Sequence, residues 1–172
     1  MVHTDVRRKE IKMVDVIKEL NQEAKNTIYV TKLPEYDPEK VTIPTKGSVD
    51  SAGYDLYALD DVSIRPQTNE MIHTGIAIEI PKGYVGLVFA RSGMAHKQHL
   101  RPSNAVGVID ADYRGEVLVS LYNDSTEDEM DITPGQRIAQ LVIVPYLGLE
   151  LQEVDKLSDT TRGEGGFGST GN

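Results

Sequence analysis

The sequence predicts an all-β domain, and three observations carry that prediction. Val and Ile together number 30 against 13 Leu, and β-branched side chains suit a pleated surface better than a helix. Apolar and polar residues alternate with a period of two along several segments. Pro and Gly turn signals separate those segments, as in sandwiches, jelly rolls and barrels. At 172 residues and 19.0 kDa the chain accommodates one domain with an appendage.

Residues 1–26 stand apart from that pattern. Between Asp5 and Lys25 lie six Lys/Arg and five Asp/Glu, with no Gly or Pro. Met13, Val14, Ile17, Leu20 and Ala24 fall at helical spacing. This predicts a near-neutral N-terminal helical extension, either docked on the domain or available to a protein partner or a second copy. From Thr27 the period becomes two. Ile72, Thr74, Ile76, Ile78 and Ile80 share one side of a segment, which predicts a single strand ending at Pro81-Lys82-Gly83. Tyr84 to Ala90 reads as a second strand, and Val117, Val119 and Leu121 mark a third. Ile138 to Val144 is apolar almost throughout, which predicts a strand buried on both faces. Residues 27–158 are thus the expected β core. Residues 159–172 form an arm with five Gly in the nine residues after Arg162, expected to move until something orders it.

The charge of -9 argues against a general nucleic-acid surface, which needs basic residues. It leaves room for a small phosphate pocket built from a few cations and amides. No segment has the length and apolarity of a membrane-spanning helix, and the N-terminus lacks the apolar core of a secretory signal. The absence of Cys excludes disulfides, thiolate metal sites and cysteine nucleophiles. With no His-Glu-x-x-His, Walker A or Gly-x-Ser-x-Gly pattern, zinc hydrolysis, P-loop and serine-hydrolase chemistry lose support. The acidic residues Asp124, Glu127, Asp128, Glu129 and Asp131 lack a calcium-loop spacing and read as a solvated loop.

Five segments place Gly beside polar groups at strand ends. Ala52-Gly53-Tyr54-Asp55-Leu56 is the first. In the second, Arg91-Ser92-Gly93 offers a cation, a hydroxyl and close backbone approach, a set suited to phosphate or to a plain surface turn. The third runs from Gly107 to Gly115. There Asp110 could activate a water or simply form a turn. The fourth, Gly135-Gln136-Arg137, adds an amide and a cation, or a turn into the next strand. The arm supplies Arg162, glycine amides, Phe167, Ser169 and Thr170, able to close over a polyphosphate and stack on a base.

In this order and spacing, the five segments resemble the five motifs of the trimeric dUTPases, over about Ile28 to Gly171. The resemblance implies a distorted jelly-roll subunit in a homotrimer, with active sites at subunit interfaces. It also implies hydrolysis of dUTP to dUMP and pyrophosphate with Mg²⁺, in the cytoplasm or a host cell's cytoplasm. By resemblance, Asp110 is the water-activating carboxylate, and Tyr113 lies beneath the deoxyribose and excludes a 2′-hydroxyl. Asn104 and main-chain groups of a hairpin including Val106, Gly107 and Ile109 read uracil. Arg91, Ser92, Gly93 and Gln136 bind phosphates, and Asp55 holds Mg²⁺ through water. Arg162, Ser169 and Thr170 hold the outer phosphates, Phe167 covers the base, and Gly168 belongs to the same substrate-binding motif. Ala90 stands where many members carry Pro, and the N-terminal extension exceeds the family core. Two readings compete with this one: a dCTP deaminase of the same fold, and a phage or viral member with an added protein-binding regulatory role.

Overall fold

The computed structural model describes residues 27–166. The helix expected over 5–26 and the end of the arm, including Phe167 to Thr170, lie outside the described residues. Twelve strands and one short helix follow in order. They are β1 (Tyr29–Lys32), β2 (Thr45–Lys46), β3 (Gly53–Tyr57), β4 (Val62–Ile64), β5 (Asn69–Ile72), β6 (Ile76–Glu79) and β7 (Tyr84–Phe89). Then come α1 (Ser92–Lys97), β8 (Leu100–Pro102), β9 (Gly107–Ile109), β10 (Val119–Asn123), β11 (Met130–Ile132) and β12 (Arg137–Pro145). The all-β expectation is met.

All pairings are antiparallel. The largest sheet has the order β2-β3-β12-β7-β9, and a three-stranded sheet has the order β5-β10-β8. Two further ladders, β1-β6 and β11-β4, are two-stranded. The sheets share one apolar cluster. Leu56, Val88, Ile109, Ile138 and Leu141 come from the large sheet, and Ile72, Leu100, Val119 and Leu121 from the three-stranded one. Ile64, Ile76, Ile78 and Ile132 complete it from the small ladders. Burial of β-branched and Leu side chains between facing sheets is the main stabilising term, as in other sandwiches.

Two strand readings need correction. The single strand expected over Met71–Ile80 is two strands, β5 and β6, which pair in different sheets. The isoleucines share one buried side, as expected, but Gly75 sits at φ +67° and turns the chain from one sheet to the other. A Cβ there would meet Leu59 Cδ2 at 3.2 Å, so glycine serves both the conformation and the packing. The strand expected to be buried on both faces, β12, is only partly so. Ile138, Ala139 and Leu141 are buried, while Val142, Ile143 and Val144 are half-buried. β12 is central in its sheet, but among the described residues the face around Val142 and Val144 is incompletely covered.

The acidic stretch after β10 is a turn knotted by one buried amide. Asn123 Nδ2 donates to Ile64 O and Asp128 O, and its Oδ1 accepts from the Ser125 amide. Asp124 pairs with Arg101 at 2.8 Å. Among the described residues no helix is long and apolar enough to cross a membrane. After Pro145 the chain runs to Gly166 without regular structure, and Leu147, Leu149 and Leu151 are exposed.

Candidate active site

The register of the large sheet aligns the first, second and fourth segments. Gln140 in β12 stands opposite Asp55 in β3 on one side and Phe89 in β7 on the other. The chain leaving β7 therefore delivers Arg91 beside Asp55. Arg91 Nε donates to Asp55 Oδ1 at 2.8 Å, and Arg137 Nη1 donates to Oδ2 at 3.3 Å. The Asp55 side chain is only 14% exposed. One largely buried carboxylate thus holds two guanidinium groups, the arrangement that fixes cations without neutralising both.

Gln140 fixes the same corner through the backbone. Its Nε2 donates to Ala90 O at 2.9 Å. Its Oε1 would lie 2.8 Å from a Cβ on Gly53, so the glycine of the first segment makes room for this amide. Ser92 and Gly93 open α1, and a Cβ on Gly93 would meet nothing within 4 Å. Gln136 Oε1 accepts from the Thr133 amide at 3.1 Å, which fixes the side chain within its turn. Arg91, Gly93, Met94, Lys97, Gln98, Gln136 and Arg137 line an open cavity of about 370 Å³. Three cations and the Asp55 carboxylate leave this region positive in a chain of charge -9.

The third segment starts near this corner, with Gly107 opposite Val88, and runs away from it. Ile109 in β9 pairs with Gly86 near the start of β7, whereas Arg91 follows its end. At the usual rise per residue, Asp110 and Arg91 are separated by roughly 20 Å along the strand. β9 is the edge of its sheet, and the expected hairpin around Val106–Tyr113 is not a two-stranded ladder. The chain instead passes from β9 into a turn closed by Tyr113 N donating to Asp110 O at 3.1 Å. The reason is that the segment after the turn is drawn to the other sheets, where Glu116 bridges Ala77 and Val117 N bonds Ile76 O. One consequence is an edge whose outer main-chain groups meet no strand among the described residues.

Gly107 suits its place because a Cβ would meet Val88 Cβ at 3.1 Å. Asn104 and Val106 lie in the turn before β9, where Val106 N bonds Asn104 O and Ala105 adopts φ +62°. Asp110, Ile109, Tyr113 and Glu116 line a second cavity of about 200 Å³, and Asp110 borders a third of about 900 Å³ with Val108, Tyr84 and Tyr146. Arg162 is exposed, with Nε donating to Gly165 O at 2.7 Å.

The structure therefore brings Asp55, Arg91, Gly93 and Gln136 together at the end of β7, where the start of β9 also lies because Gly107 pairs with Val88, and it places Asp110 and Tyr113 together toward the other end of β7. Arg137, named with Gln136 as the cation of the fourth segment, belongs to the first group, and Lys97 and Gln140 join it without having been singled out. Gln140 had no signal, because its partners Ala90 and Gly53 are set by ladder register.

A cationic cradle at one end of β7, an open strand edge running from it and a carboxylate farther along are groups able to hold the phosphates and base of a nucleotide. The comparisons are more specific. The dUTPase family model matches residues 39–171, and the chain belongs to that family. The deoxyuridine 5′-triphosphate nucleotidohydrolase of Corynebacterium glutamicum is 47% identical over 133 residues, covering 77% of this chain and 89% of its own. That of Nautilia profundicola is 44% identical over 155 residues, covering 90% and 96%. Among solved structures, a Staphylococcus bacteriophage 80alpha dUTPase mutant with dUpNHpp superposes with TM-score 0.74 at 33% identity, covering 86% of this chain and 99% of its own. A mutant of the dUTPase from phage phi11 of S. aureus, described for its structural Mg(II) ion, superposes with TM-score 0.68 at 31% identity, covering 76% and 98%.

Proposed function

We propose that this chain hydrolyses dUTP to dUMP and pyrophosphate at composite sites, the cradle of one subunit facing the Asp110 edge of another in a homotrimer. The observation that carries the composite site is the separation of Asp110 from Arg91 by about the length of β7. In this reading Arg91 and Asp110 meet at one α-phosphorus across a subunit interface. The uncovered apolar residues Leu147, Leu149 and Leu151, and the outer face of β12, supply surface for such an assembly.

In this reading Arg91, Gln136 and the backbone at Ser92 and Gly93 take the phosphate chain. Asn104 and the open edge of β9, with main-chain groups at Val106, Gly107 and Ile109, read the uracil. A base whose donors and acceptors were exchanged would leave buried groups unpaired. Asp110 accepts a proton from the attacking water. The water oxygen bonds to the α-phosphorus, and the bridging oxygen leaves with the β-phosphorus as pyrophosphate. Arg162, Phe167, Gly168, Ser169 and Thr170 close over the bound nucleotide and exclude bulk water.

Asp55 fits a role toward Mg²⁺ only at a distance. Both of its oxygens accept guanidinium hydrogen bonds, and among the described residues no three carboxylate or imidazole groups converge. That donor set would hold a hydrated ion through water rather than by direct contact. When bound, Mg²⁺ supplies charge neutralisation along the triphosphate.

The test is incubation with dUTP or dCTP, with and without Mg²⁺, in ¹⁸O-labelled water. We expect dUMP carrying the label, unlabelled pyrophosphate, and dependence on Mg²⁺. Label in pyrophosphate would place the attack on the β-phosphorus. Ammonia from dCTP would replace this reading with deamination, which neither the family match nor the relatives' names favour.

A further inference from the structure

We infer that Gly115 and Glu116 are positioning residues that seat the Tyr113 ring, and through it set the preference for deoxyribose over ribose. The inference rests on the reading of Tyr113 as the floor beneath the sugar. Tyr113 is 44% exposed on a turn, and a ring in that situation samples several rotamers unless its polar end is held. Here it is held twice. The hydroxyl donates to Glu116 O at 3.0 Å. The ring lies against Gly115 so closely that a Cβ there would come within 2.6 Å of Tyr113 Cζ, far inside contact distance.

Glu116 is itself fixed by a part of the fold remote from the sugar. The chain turns between sheets at His73-Thr74-Gly75, and the amides at that turn need acceptors. Glu116 supplies one. Its Oε1 accepts from Thr74 N at 3.1 Å and Gly75 N at 2.8 Å, and its Oε2 meets His73 Nδ1 at 2.8 Å. The backbone of Glu116 bridges Ala77, and the Thr74 hydroxyl donates to the neighbouring Val117 O at 2.6 Å. A side chain anchored at the corner of the sandwich thereby holds still the carbonyl that receives the Tyr113 hydroxyl. A ring fixed in this way has no freedom to withdraw from a 2′-hydroxyl. A loose ring makes room for one.

The experiment measures kcat and KM for dUTP and UTP in the full chain. The variants are Glu116→Ala, Glu116→Gln, Gly115→Ala and, as a control, Tyr113→Ala. Melting and assembly state are recorded for each. Glutamine keeps an acceptor for the two amides, so Glu116→Gln is expected to restore the discrimination that Glu116→Ala loses. Glu116→Ala and Gly115→Ala are expected to lower the dUTP-over-UTP preference by about tenfold, the scale of one lost hydrogen bond. The loss should appear mainly in KM, because neither residue touches the reacting atoms. A folded Glu116→Ala with unchanged preference would overturn the inference, provided Tyr113→Ala loses it. Unchanged preference in Tyr113→Ala would instead remove the underlying reading of Tyr113. If Glu116→Ala does not fold, Gly115→Ala decides, since it displaces the ring and leaves the carboxylate in place.

Discussion

Gly93 separates what the fold needs from what the chemistry needs. It sits inside α1, and a Cβ there meets no atom within 4 Å. Sterics in the free chain thus do not require glycine. Alanine is favoured over glycine in a helix by about 1 kcal/mol, so Gly93→Ala should leave the melting temperature unchanged or raise it. If a phosphate approaches this backbone, the new methyl group occupies that approach, and kcat/KM for dUTP should fall by roughly tenfold or more. Thermal melting and steady-state kinetics on the same sample decide the matter. A stable variant with unimpaired kinetics would take Gly93 out of the phosphate site. Asp55 shows the complementary limit of reading residues from order alone. Its place in the first segment was legible, but its grip on Arg91 and Arg137 was not, because β3 and β12 meet only through ladder register.

At the scale of elements, the alternation of apolar residues correctly located the buried side of Met71–Ile80 and misjudged its continuity. Periodicity is blind to which sheet a strand joins, since Ile72 and Ile76 point to the same core from different ladders. The signal that was present was Gly75, an isolated glycine in a strand pattern, which marks a bend or close approach. Its conformation makes a definite prediction. Forcing an L side chain to φ +67°, against Leu59 at 3.2 Å, should cost Gly75→Ala about 1–2 kcal/mol in the left-handed region before any packing loss. Denaturant melts of the variant should show a lower midpoint with an unchanged slope. No loss of stability would mean that the corner adapts without this glycine. The β12 reading failed for a different reason. A run of apolar residues reports that both faces are to be covered, but not whether the same chain covers them.

At the scale of the molecule, the separation of cradle and carboxylate becomes a question about assembly. If each site joins the Arg91 cradle of one chain to the Asp110 of another, each function can be destroyed on a different chain. Arg91→Ala removes a cradle cation, and Asp110→Asn removes the proton acceptor while leaving the phosphate contacts. Each variant alone should be nearly inactive, with Asp110→Asn still binding dUTP. Assembled together in equal amounts, they should regain activity. In a cyclic trimer with random composition, about a quarter of the sites pair an intact cradle with an intact Asp110. Activity near that fraction of wild type, in particles of three times 19.0 kDa, is the expected result. A site contained within one chain gives no recovery at any mixing ratio, because every chain then carries one defect. The mixing ratio adds a second check. Recovery from between-chain sites peaks at equal amounts and falls symmetrically on either side, a dependence that neither partial refolding nor residual activity of one variant would produce.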